Sequence, residues 1–390
     1  MQIWQIDPAS LTPYYDLALC EALADARHQV RYVTSRYLYD AALNYPQNVT
    51  LDIHYFQPLE NSLLLHMPLS RKALRGLHYP LAHLKLLAKL RQHRPDVVHM
   101  QWSRLPTIDR WLLAAAQRLD LPVVHTIHDV ESLFNQEWLA GALEGIYTRY
   151  VDHFIVHAEE NRERFLRHYP LVPPERVDVI PMLPLITKRE DNQTRVSARA
   201  ALGIDPSMFV VMCFGIVKHY KGIDLLIDAI PMVASRNPKI QFWIVGRIGD
   251  EASDQFIIRL SQFEQVQVRS EYVPSDELWK FHLAADVMLF PYRQISQSAA
   301  LATSLSYGCA VIVTDVGGLP SLVQGNGWII PTEQPHAIAE AVLEAAQQPE
   351  KLAMMRELSK AIFAETLSPA VIARKHIDLY ERMIARRKRS

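Results

Sequence analysis

Short apolar runs punctuate the chain, and between them apolar residues recur at three- and four-residue spacing. In the first half the runs fall at residues 3–6, 30–34, 51–55, 97–100, 123–127, 154–157 and 177–180. In the second half they fall at 209–214, 240–245, 266–269, 287–290, 311–314 and 328–330. The stretch DLALCEALADA, residues 16–26, has the period of an amphipathic helix. Strand-like and helix-like segments thus alternate. This is βα repetition, in which parallel strands covered by helices on both faces read as continuous apolar runs. The fold class it predicts is α/β, with doubly wound parallel sheets. Between the halves, MLPLITKREDNQT (182–194) passes from proline-containing to strongly polar, as an interdomain linker does. The reading places one domain at 1–185, a second at 186–368, and a terminal helix with a basic tail at 369–390.

Composition narrows the picture. A chain of 390 residues allows one to three domains, and 49% hydrophobic residues suffice for sizeable cores. A formal net charge of −1 creates no global field for nucleic acid, which is not expected as a partner. Cys20, Cys213 and Cys309 are far apart in sequence, which suits a reducing compartment better than a disulfide framework. The opening MQIWQIDPAS lacks the pattern of a signal peptide, and no apolar stretch reaches the roughly 18 residues of a membrane span. The expectation is a soluble cytoplasmic protein. No Asp-x-Asp pair and no clustered His/Cys set is spaced for a metal, so neither metal nor cofactor is expected.

Two turns carry candidate chemistry. The stretch FPYRQISQSAALATSLSYGCAVIVTDVGGLP (290–320) reads as strand, polar turn, helix and strand. Ligands of open α/β sheets bind at the C-terminal ends of strands, and a helix starting near Ser296 to Ser298 offers unpaired amides to an anion. The plainer reading is that these serines only cap the helix. FGIVKHYKGIDLLIDAI (214–230) is a second strand–turn–helix, with Gly215, Gly222, Lys218 and Lys221 on its turn. Walker spacing is absent, so it is not a P-loop. A solvated lysine pair is the plainer reading there. Two phosphate-suited turns in one domain point to a diphosphate.

These stretches resemble the family 4 retaining glycosyltransferases. Residues 214–230 are similar to the family's GR-x4-KG-x-DLL-x-A turn, FWIVGR (242–247) to its next strand and glycine turn, and YVPSDELWKFHLAADVMLFPY (272–292) to the element that follows. Residues 11–35 and 95–130 are similar to its first half. The resemblance implies the GT-B architecture: two Rossmann-like domains facing across a cleft, with the terminal helix crossing back to the first. It implies a nucleotide-diphosphate sugar as donor on the second domain, and a glycan or lipid-linked acceptor on the first. Carried over, Lys221 is the lysine on donor phosphate, Lys218 stands in for an arginine that falls at Ile216, and Gly215 and Gly246 let backbone approach the donor. Ser298 and Ala299 sit where amides meet the donor. His128 matches a histidine near the transferred sugar; without the resemblance, a strand-end histidine bonded to Asp129 or backbone remains open.

One departure stands out. The positions of the family's glutamate pair fall at Ile295 and Thr303, and Val323 or Gln324 follows GGLP where an acid is expected. Isoleucine cannot accept a hydrogen bond, which leaves Gln294, Ser296 and Gln297 as neutral sugar contacts and Thr303 as a ribose contact. Between Leu63 and Arg94 the chain is leucine-rich and basic, with no Asp or Glu. A peripheral contact with the inner face of a membrane stays open beside ordinary core packing. Three functions compete: a retaining hexosyltransferase, a non-catalytic glycosyltransferase-like subunit binding nucleotide or a partner, and an epimerase of the same architecture.

Overall fold

The computed structural model describes residues 1–37, 43–57, 68–128, 137–185 and 193–389, with the backbone alone for 68–73 and 137–142. The chain forms two compact units. One comprises Met1–Pro181 with Pro369–Ser390, and the other Met182–Ser368. Residues 182–185 thus lie with the second unit, where the Leu185 amide donates to Thr303 Oγ1 at 2.8 Å.

The first unit alternates strands β1 (Gln2–Asp7), β2 (Gln29–Ser35), β3 (Thr50–Tyr55), β4 (Val97–Met100), β5 (Val123–Thr126), β6 (His153–Val156) and β7 (Val177–Val179) with helices. The helices are α1 (Pro13–Asp25), α2 (Pro68–His93), α3 (Pro106–Arg118), α4 (Glu137–Tyr150) and α5 (Glu159–His168). The sheet order is β3-β2-β1-β4-β5-β6-β7, and every pair is parallel. Strands β4, β5 and β6 are buried at every position, which explains their uninterrupted apolar runs.

The second unit begins with α6 (Arg195–Leu202), held by a Thr194–Ser197 capping box and ended by Gly203 in the left-handed region. Then follow β8 (Phe209–Phe214), α7 (Leu226–Ala234), β9 (Ile240–Val245), α8 (Glu251–Leu260), β10 (Val266–Arg269), α9 (Leu278–Ala284) and β11 (Val287–Phe290). The unit closes with α10 (Ala299–Ser306), β12 (Ala310–Thr314), β13 (Gly327–Ile330), α11 (Pro335–Gln347) and α12 (Pro349–Ile362). Its order, β10-β9-β8-β11-β12-β13, is again wholly parallel. The terminal helix α13 (Pro369–Arg387) returns to the first unit, where Tyr380 reaches His99 and Arg387 bonds Asp120 and Asp152.

In both sheets the strand order reverses beside the first strand, between β1 and β4 and between β8 and β11. Connections leave in opposite directions there, so a crevice opens at the strands' C-terminal ends, and that is where ligands of such sheets bind. No helix among the described residues is long and apolar enough to cross a membrane.

Candidate functional site

At the reversal of the second sheet, β8 runs into Gly215, whose φ of 111° favours glycine. Its N–H is already used by Val245 O at 2.9 Å. What glycine supplies is room: a Cβ there would lie 2.9 Å from Lys221 Nζ. Lys221 is 8% exposed, and burial lowers its pKa to about 8. Its ammonium sits 5.4 Å from the centre of the Tyr292 ring, and no carboxylate among the described residues pairs with it. A buried cation without an anion is costly to leave so, and an incoming phosphate would match it.

The second turn comes to the same place. Ala300 Cβ lies 4.0 Å from the position of a Cβ on Gly215, which puts the start of α10 beside Lys221. Ser298 caps α10, its Oγ accepting from the Leu301 amide at 3.2 Å and its carbonyl from the Ala302 amide at 3.1 Å. The amides of Ala299 and Ala300 head the helix and have no intrahelical acceptor. The capping reading of Ser298 and the anion reading of the helix start therefore hold together: the side chain caps, and two amides remain.

Arg293 locks the two turns to each other. Its guanidinium donates to both oxygens of Asp224 at 2.7 and 2.8 Å, to His219 O at 2.8 Å and to Glu333. These carboxylates raise its pKa, Asp224 first. Its amide also donates to Tyr220 O at 2.8 Å. Sequence reasoning left Arg293 among undistinguished polar turn residues, because its partners are remote in the chain.

Other expected residues take different places. A Cβ on Gly246 would lie 2.3 Å from Gly215 O, and the Gly246 amide bonds Arg269 O, so this glycine serves the close approach of two strand ends. Thr303 is 1% exposed; its hydroxyl donates to Ala299 O at 2.7 Å and accepts from the Leu185 amide. Its proton is thus used inside the domain, so toward a ribose hydroxyl it could only accept. Ile295 packs its side chain against the second unit's core. Lys218 and Gln294 are exposed, and Ser296 and Gln297 half-buried. Ile216 is exposed, without the charge of the arginine expected there.

In the first unit, His128 lies just past β5. Its ring stacks on Trp102 at 5.0 Å and 14° and meets Tyr15 edge-on at 5.0 Å. Nε2 lies 2.9 Å from the Gln101 amide and Nδ1 3.2 Å from His157 Nε2. Burial, then His157, lowers its pKa well below the ordinary value. Bonding to backbone is therefore not its role, and Asp129 lies outside the described residues. Gln101, Trp102 and His157 were not singled out in sequence. The available signal was their position, at or just beyond the end of an apolar run.

The comparisons bear on both units. Residues 15–182 match the model described as Glycosyltransferase Family 4, and residues 208–348 the model described as Glycosyl transferases group 1. Each of the two units thus matches a glycosyltransferase family model. D-inositol 3-phosphate glycosyltransferase of Streptomyces bingchenggensis is 25% identical over 281 residues, covering 66% of this chain and 61% of that protein. The chain thus spans about three fifths of the length of the curated relatives it matches. Among solved structures, sucrose-phosphate synthase of Thermosynechococcus elongatus has a TM-score of 0.75 at 19% identity, covering 99% of each chain. The Anabaena protein HepE, solved with UDP and glucose, has a TM-score of 0.74 at 17% identity, covering 98% of this chain and 99% of that one. These likenesses establish the GT-B fold.

Proposed function

We propose that the protein is a retaining hexosyltransferase that moves a sugar from a nucleotide-diphosphate sugar on its second domain to an acceptor hydroxyl. The observation that carries this reading is the buried, unmatched Lys221 ammonium beside the free amides that head α10. Glycosyl transfer leaves negative charge on the departing diphosphate. A fixed ammonium and a helix N-terminus stabilise that charge in a site shielded from water. Gln294, Ser296 and Gln297 make neutral contacts to the sugar, since Ile295 packs against the core and has no group to hydrogen-bond with. UDP-glucose is the first donor to try, because HepE, of the same fold, was solved with it. Retention is supported by the family resemblance.

The acceptor is a glycan or a lipid-linked sugar. Helix α2 supports the lipid-linked form. Ala82, Leu86 and Leu90 are buried in the core, while Leu77, Leu81 and Leu84 are 73%, 58% and 53% exposed beside exposed Lys85 and Arg91. Arg75 and Lys89 are engaged within the domain, by Phe56 and Asp52. Residues 63–67 lie outside the described part of the chain. An exposed leucine row among cations suits an anionic membrane surface. Cosedimentation should show binding to anionic vesicles that is lost in Leu77→Ser/Leu81→Ser; equal binding to neutral vesicles would contradict it.

Ile295 packed against the core and Thr303 engaged internally favour the second reading, a nucleotide-binding subunit without turnover. The separating experiment is a nucleotide-sugar panel read for donor hydrolysis and transfer. His128→Ala should lower turnover and leave donor affinity nearly intact, because the residue belongs to the other domain. Selective binding with no hydrolysis or transfer on any donor and acceptor tried would support the subunit.

A further inference from the structure

Four buried groups in the first unit form one hydrogen-bonded chain at the C-terminal edge of its sheet, and their protons can be counted. His157 Nδ1 lies 2.9 Å from Ile180 O. A carbonyl only accepts, so Nδ1 carries a proton. A neutral imidazole has one such proton, and His157 is neutral, its pKa lowered to about 4 by burial. Its Nε2 is therefore a lone pair. That lone pair faces His128 Nδ1 at 3.2 Å, so His128 must donate from Nδ1. His128 is neutral as well, since burial pushes its pKa well below the ordinary value and the ionisable groups acting on it among the described residues are His157, His125 and His99, none of them an anion. Its Nε2 is left unprotonated.

The rest of the chain closes consistently. The two ends of the Gln101 amide lie 2.9 Å from His128 Nε2 and 3.4 Å from His99 Nε2. Oxygen and nitrogen of an amide interchange on a half-turn, and only the form that offers NH2 to His128 satisfies its lone pair. His99 then donates from Nε2 toward Thr126 Oγ1, at 2.7 Å, and accepts at Nδ1 from the Tyr380 hydroxyl, also at 2.7 Å. The His128 ring plane is fixed too, because Trp102 stacks beneath it and is anchored by its indole N–H on Thr12 Oγ1 at 2.9 Å.

We propose that His157 is a positioning residue for His128: through the Ile180 carbonyl it holds His128 as the neutral Nδ1–H form, so that the nitrogen facing Gln101 accepts hydrogen bonds and does not donate them. A ligand group taking Gln101's place must then bring its own proton, as a sugar hydroxyl does, whereas a carbonyl or carboxylate oxygen would be refused. With no anion among the described residues to hold an imidazolium, His128 orients such a hydroxyl and does not deprotonate it. The functional meaning rests on the glycosyltransferase reading; the protonation state rests on the hydrogen-bond geometry and on burial, independently of that reading.

The test is two-bond proton–nitrogen correlation NMR on the full chain labelled in histidine, with the His128 signals assigned from His128→Gln. The wild-type spectrum at about pH 7 should show His128 protonated at Nδ1. In His157→Phe, which keeps an aromatic ring but removes the acceptor, His128 should shift toward the Nε2–H form. In His157→Gln the amide oxygen can accept from Nδ1, and the native form should return. Turnover should follow, falling roughly three- to tenfold in His157→Phe, the worth of one neutral hydrogen bond, and recovering in His157→Gln with donor KM unchanged. An Nε2–H His128 in the wild type, or one indifferent to His157→Phe, overturns the proposal, and the wild-type spectrum is decisive even where a variant fails to fold. A native spectrum in a protein without transferase activity would overturn the functional reading and leave the positioning intact.

Discussion

At the reversal of the second sheet sits an ammonium with no anion among the described residues; at the reversal of the first sit carboxyl groups held by amides and a tyrosine, and imidazoles bonded to one another and to Gln101. Lys221 is surrounded by glycines, the Tyr292 ring and the free end of α10. In the first unit, Asp7 at the end of β1 accepts from the amides of Leu11 at 2.6 Å, Ala9 at 3.1 Å and Thr12 at 3.3 Å. Asp16 accepts from Tyr32 at 2.9 Å, and burial raises the pKa of both acids. Beside them runs the neutral chain of His157, His128, Gln101 and His99. The same strand order thus builds two crevices of opposite character. One is short of an anion and suits a diphosphate. The other is lined by groups that already bond within the unit.

The comparison breaks most readily at the backbone of the second crevice. A Cβ on Gly222 would lie 2.0 Å from Pro291 O at a φ of 66°. Gly222→Ala should lower the stability of the second unit by about 2–4 kcal/mol in denaturant unfolding and remove nucleotide binding. An unchanged midpoint would mean that the two turns do not press on each other. Next in size, Lys221→Met should weaken diphosphate binding by about 1.5–3 kcal/mol and leave nucleoside binding alone. Arg293→Gln comes third, costing about 1–2 kcal/mol of stability through the lost bidentate pair. It should lower donor affinity without changing its pH dependence, because Arg293 touches the turns and not the ligand. Smallest is Ser298→Ala, about 1 kcal/mol for the lost cap, with diphosphate binding largely kept because the Ala299 and Ala300 amides remain. Binding lost along with the cap would make Ser298 itself a ligand.

How much of this was legible in the sequence differs between the units for the same physical reason. Strands buried on both faces print as apolar runs, so the alternation of both sheets could be read directly. The turn that carries Gly215 and Lys221 could be read too, because it is local: strand, glycine, lysine and helix lie within a few residues. Arg293 could not, since its meaning depends on Asp224 and Glu333 in other loops. The backward bond of Thr303 to the carbonyl four residues earlier could not be read either, because the type of residue does not disclose it. The close approach of Gly246 to the Gly215 carbonyl was not legible, because it joins two strand ends remote in the chain. Gln101 and His157 were visible as polar residues at or just beyond the ends of apolar runs, yet their significance is the proton count, which needs distances.

The most direct measurement is calorimetric titration of uridine diphosphate into wild type and Lys221→Met at about pH 7 and pH 9.5. Burial lowers the Lys221 pKa to about 8, below the ordinary lysine value, so the free protein loses that proton as pH rises through about 8. A bound diphosphate favours the charged form, so binding above that pH must recover the proton. The account predicts that wild-type affinity falls by up to about tenfold per pH unit above about pH 8, and that Lys221→Met is weaker at pH 7 and flat with pH. Equal affinities for the two proteins, or a wild-type affinity that does not change between the two pH values, would contradict it.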